Sequence, residues 1–96
     1  MKRRIRLAPH AAEAMRTVPP EVKRRLRSAL RSIADDPSER NSVAEVKELR
    51  PTAVLPRAFR AKVGEWRIVF VVDGADVAVM RVFHRTEGYR WMERGS

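Results

Sequence analysis

Apolar and polar residues alternate near the start of the chain. Ile5 and Leu7 share one side and Arg4 and Arg6 the other, as in a short half-buried strand. The spacing then lengthens to that of a helix: Pro9 suits a first helical turn, Ala11, Ala12, Met15 and Val18 form a narrow apolar stripe, and Pro19-Pro20 ends it. Pro20-Glu21 opens a second helix in which Val22, Leu26, Ala29, Leu30 and Ile33 recur at helical spacing. Asp35-Asp36-Pro37 closes it, because the residue before a proline avoids helical angles. From Ser38 to Thr52 the pattern is weak and predicts mostly loop, with Val43, Val46 and Leu49 tacking it to the core. Three strand-like runs follow, Ala53 to Lys62, Glu65 to Val72 and Asp76 to His84, divided by turns at Val63-Gly64 and Asp73-Gly74-Ala75. Turns this short imply an antiparallel meander. The expected fold class is α+β, two helices packed on one face of a mostly antiparallel sheet, in a single domain over residues 1–96.

Side-chain alternation sorts the last strands into two faces. Trp66, Ile68, Phe70 and Val72 form the bulkier apolar set and should lie under the helices, leaving Arg67, Val69 and Val71 on the other side. In the last strand Ala78, Met80 and Val82 are uniformly apolar, whereas Val77, Val79, Phe83 and the following Arg85 share parity with Arg81, and an arginine avoids the core. In the run before them, Leu55 and Phe59 fit the core and Ala58, Arg60 and Lys62 have the other parity. Arg67, Arg81 and Arg85, joined by Arg60 and Lys62, are therefore expected to converge on an open, concave sheet face. Forked guanidinium donors there suit phosphate, and single-stranded RNA is the natural ligand. An ion network with Glu45, Glu48 or Glu65 is the plain structural alternative.

Charge strengthens this picture. In 96 residues, 21 Lys+Arg oppose 12 Asp+Glu, a formal net charge of +9, which makes a polyanion the default partner; a ribosomal or histone-like role, or a merely basic surface, fits as well. Lys23, Arg24, Arg25, Arg27 and Arg31 on the second helix read as an ordinary solvated face. The lack of cysteine removes disulfide, thiolate and cysteine-zinc chemistry, and His10 and His84 alone make no persuasive metal site. The basic N-terminus has no uninterrupted apolar stretch after it, and the longest apolar run is Ile68 to Val72. Neither export nor a membrane is expected, and the location expected is cytoplasmic.

Val46-Lys47-Glu48-Leu49, Gly64-Glu65-Trp66-Arg67-Ile68-Val69-Phe70 and His84-Arg85-Thr86-Glu87-Gly88-Tyr89, in this order, resemble the RelE branch of the RelE/ParE toxin superfamily. The resemblance implies the toxin of a type II toxin-antitoxin system that cleaves messenger RNA in the ribosome without metal or cofactor. It also implies an acidic antitoxin as partner, in a hetero-oligomer that binds operator DNA. A Gly-x-aromatic-Arg segment maps onto Gly64 to Arg67, and an Arg-x-x-x-Tyr segment onto Arg85 to Tyr89. By carry-over Arg67 and Arg85 hold the scissile phosphate, Tyr89 stacks on or orients the nucleotide, and Arg60, Lys62 and Arg81 bind substrate. RelE carries paired lysines on the strand before the turn, and the matching positions here read as Pro56 and Ala58, with Arg60 the basic residue kept. Lys47, Glu48, Lys62 and His84 are the alternative bases in the chain, and a contribution from ribosomal RNA is a further one. The second function class is a ParE-like gyrase inhibitor, or a relative that binds antitoxin and nucleic acid without cutting.

Overall fold

The computed structural model describes residues 2–51 and 57–88. Strand β1 (Arg4–Leu7) leads into helices α1 (Pro9–Thr17) and α2 (Pro20–Asp35), followed by β2 (Lys47–Glu48), β3 (Phe59–Val63), β4 (Trp66–Asp73), β5 (Asp76–His84) and a 3-10 turn (Arg85–Glu87). Each helix opens on a proline whose fixed φ suits the first turn, and Glu21 adds a favourable charge at the positive end of α2. The chain leaves helical angles at Val18 and Asp36, each of which precedes a proline.

The strands form one sheet in the order β1-β5-β4-β3-β2, antiparallel throughout except where β1 runs parallel to β5. Both helices pack on one face, where Ala11, Met15, Leu26, Leu30 and Ile33 meet Ile68, Phe70, Val77, Val79 and Val82. The opposite face is not bare. Ala58, Val69 and Phe83 form a second buried cluster, with Leu49, Val71 and Met80 against it.

The expected parity of β5 holds in only one half of the strand. Val77 and Val79 are fully buried in the helix-side core, and Ala78 and Met80 stand opposite, the reverse of the alternation argument. A β-bulge explains this: Val69 pairs with Arg81 and Phe70 with Val79, so Met80 is an extra residue and the alternation resets. Beyond it Val82 faces the helices and Arg81 and Phe83 the open side, as expected. Three apolar residues lie more exposed than their pattern implied: Leu7 on the edge strand (40%), Val43 in the loop (80%) and Val72 near a strand end (39%). The strand expected from Ala53 begins at Phe59, and Leu55 and Pro56 lie outside the described residues.

The loop after α2 is fastened by Asn41, which is buried. Its Nδ2 donates to the carbonyls of Ser32 and Asp36, and its Oδ1 accepts from the amide of Ala44. Ala44 and Val46 thereby enter the core in place of Val43, and the chain reaches β2 through Glu45 at a left-handed φ of 48°.

Candidate functional site

Strand register arranges the open face in rows. Lys47 pairs with Arg60, Arg60 with Val69 and Val69 with Arg81, a line across β2, β3, β4 and β5. One row nearer the β3–β4 turn, Lys62 pairs with Arg67 and Arg67 with Phe83. The cations therefore flank a closed apolar centre, since Val69 and Phe83 are buried by the chain itself and offer a partner little surface.

The expected convergence of arginines resolves into three positions. Arg67 donates from Nη1 to the carbonyls of Gly64 and Trp66, 2.9 Å from each, which fixes the root of its guanidinium at the β3–β4 turn and leaves other N–H donors for a ligand. Arg85 reaches the same turn from the far side, where its Nε pairs with the Glu65 carboxylate and its amide donates to the Glu65 carbonyl. This pair holds the Glu65 carboxyl below the usual carboxylate range, first through the hydrogen bond from Arg85 and then through its charge. Arg81 stands apart, with Nη1 2.9 Å from Nε2 of His10 in the first turn of α1. It thus reaches around the edge of β5 beyond the end of β1. Arg60 and Lys62 share one face of β3, with Arg60 Nη1 3.4 Å from the Glu45 carbonyl. Tyr89, Trp91 and Met92 lie outside the described residues.

The candidate bases separate by face. Glu48 pairs with Phe59 on the helix-side parity, and its amide donates to Glu39. His84 packs edge-on against Trp66, while its Nδ1 engages Thr86 to cap the 3-10 turn. Neither belongs to the open face, whereas Lys47 and Lys62 do. Lys47 is the member that sequence alternation could not place, because a two-residue strand carries no period. Gly64 is favoured by its φ of +60°, which side chains rarely adopt, and the flexible guanidinium of Arg25 lies over the turn from α2.

Residues 3–89 match the family described as the ParE toxin of type II toxin-antitoxin systems, parDE. The chain belongs to this family. Solved structures place the ParE-family chain within the RelE/ParE fold. The archaeal RelE in the RelE-RelB complex of Pyrococcus horikoshii superposes with a TM-score of 0.72 at 20% identity, covering 88% of this chain and 97% of that one. Free RelE of E. coli gives 0.72 at 20% identity over 97% and 94% of the two chains. YoeB of Staphylococcus aureus gives 0.71 at 17% identity over 88% and 99%. No curated protein sequence matches the chain significantly. No helix among the described residues is long and apolar enough to cross a membrane.

Proposed function

We propose that this ParE-family toxin is an endoribonuclease that cleaves ribosome-bound messenger RNA by attack of a ribose 2′-hydroxyl on the adjacent phosphate. The observation that carries the reading is the pairing of Lys62 with Arg67 across β3 and β4, beside the turn where Arg85 also ends. In-line cleavage needs the 2′-hydroxyl deprotonated, charge on the phosphoryl oxygens stabilised and the leaving 5′-oxygen protonated. Arg67 and Arg85 supply the charge, Arg60, Lys62 and Arg81 bind the flanking backbone, and Tyr89 stacks on the nucleotide. Arg60 and Lys62, two apart on the open face of β3, are the basic residues of the strand before that turn. The partner is an acidic antitoxin, in keeping with solved relatives that are toxin-antitoxin complexes.

The family match to ParE favours a second reading, inhibition of DNA gyrase. One experiment separates them: induce the chain in cells, map message 5′ ends on ribosomes and measure plasmid supercoiling in the same culture. New message ends that vanish with Arg67→Ala are expected. Altered supercoiling with intact messages would replace the first reading by the second.

A further inference from the structure

Beyond the turn that gathers Arg67 and Arg85, the outer edge of the sheet holds a cleft whose lining includes the cations Lys47, Arg60 and Lys62, the acids Glu39 and Glu45, and Asn41. Among the described residues neither acid forms an ion pair with the cations of the cleft. Glu39 accepts from the amide of Glu48, and Glu45 offers Arg60 its backbone carbonyl. Neither Lys47 nor Lys62 forms an ion pair among the described residues. The loop that forms the outer wall is held by the buried Asn41, so the cleft is prebuilt.

We infer that this cleft is a second phosphate subsite, in which Lys47 and Arg60 grip the backbone of the same single RNA strand that Arg67 and Arg85 hold, so that the strand runs from the 3-10 turn after β5 across β4, β3 and β2. The inference rests on the endoribonuclease reading and adds a path and a length requirement to it. Continuity comes from register: Lys62 adjoins Arg67 directly, Arg60 follows Lys62 on the same face, and Lys47 sits opposite Arg60. Neighbouring strands lie about 4.8 Å apart, so the track from Arg67 on β4 to Lys47 on β2 spans roughly 10 Å, more than one phosphodiester covers. A backbone-tracking groove of this kind binds without reading bases, and its affinity depends on strand length and on salt.

The test uses the whole protein and 2′-O-methyl oligouridylates, which lack the attacking hydroxyl and are not cut, from two to eight nucleotides long. Affinity should rise with length and then level off. Lys47→Ala should weaken the long oligonucleotides several-fold, lower the salt slope by about 0.7 for the lost phosphate contact, and leave the dinucleotide unchanged. Lys47→Arg should restore binding, and Arg31→Ala on the exposed face of α2 should have no comparable effect. If the wild type binds long strands and Lys47→Ala equals Arg31→Ala, the subsite is wrong while the endoribonuclease reading stands. Should no length bind, the subsite fails, while the endoribonuclease reading is decided by the message ends mapped on ribosomes. If oligoglutamate of equal charge binds as tightly with the same dependence on Lys47, the cleft belongs to an acidic peptide instead of RNA.

Discussion

Glu65 and Arg85 are both more than half exposed, so their ion pair adds little to stability, yet it decides where the Arg85 guanidinium rests. Glu65→Gln should therefore leave the unfolding midpoint nearly unchanged and strengthen RNA binding, because Arg85 no longer has a carboxylate to leave. Arg85→Ala should lower single-turnover cleavage by about 100- to 1,000-fold, the worth of one transition-state donor, with the fold intact. Unchanged cleavage in Arg85→Ala would exclude it from the site. Tyr89→Phe should be milder than Tyr89→Ala, since stacking needs only the ring; equal, complete loss would point to the hydroxyl. At this scale the sequence told which side chains avoid the core, because charge and parity agree at Arg60, Lys62 and Arg67. It did not tell where each guanidinium ends. The bonds of Arg81 to His10 and of Arg85 to Glu65 join residues 71 and 20 positions apart, and no local pattern encodes them.

The edge strand β1 shows how an element is held by charge as much as by packing. Arg4 and Arg6 both reach Asp76 across the parallel pair, and Arg6 also reaches Asp73. The Asp76 carboxyl lies below the usual carboxylate range, chiefly through the hydrogen bond from Arg4, with Arg6 adding to it against partial desolvation. A carboxyl depressed in the folded state stabilises fully above its unfolded value, and that support is lost as pH falls through the folded one. Thermal midpoints should thus drop on acidification below the ordinary aspartate range. Asp76→Asn should start lower at neutral pH and fall less steeply; parallel curves would remove Asp76 from the account. Periodicity announced both helices and the meander, because each spans several repeats. It failed at β2, which is too short for a period, and at the upstream half of β5, where the single extra residue Met80 inverts every side chain before it.

At the scale of the molecule, a surplus of nine positive charges meets few exposed large apolar side chains among the described residues. Val69 and Phe83, which alternation placed on the open side, are already buried, and the exposed large apolar residues among those described, Leu7, Val43 and Val72, stand on separate elements. An antitoxin must then be drawn largely by charge, and its association rate should fall steeply between low and physiological salt, as the screening length contracts to about 8 Å. Stopped-flow mixing at two ionic strengths measures this. A rate indifferent to salt would mean that apolar contacts dominate the encounter. The net charge was readable from composition alone, whereas the closed apolar centre of the sheet depends on how the strands register.

The parallel partnership of β1 with β5 joins residues some 72 positions apart, and that separation has a consequence for synthesis. As the chain emerges from the ribosome, α1 and α2 appear early, but β1 has no strand to lie against until β5 follows. The sheet that carries the cations is likewise completed last, since β4 and β5 supply its middle. Contacts this distant in sequence make folding slow and defer it to the end of translation. Nascent chains stalled before residue 76 should be degraded readily in pulse proteolysis, whereas the full chain, released or held clear of the ribosome on a C-terminal linker, should resist.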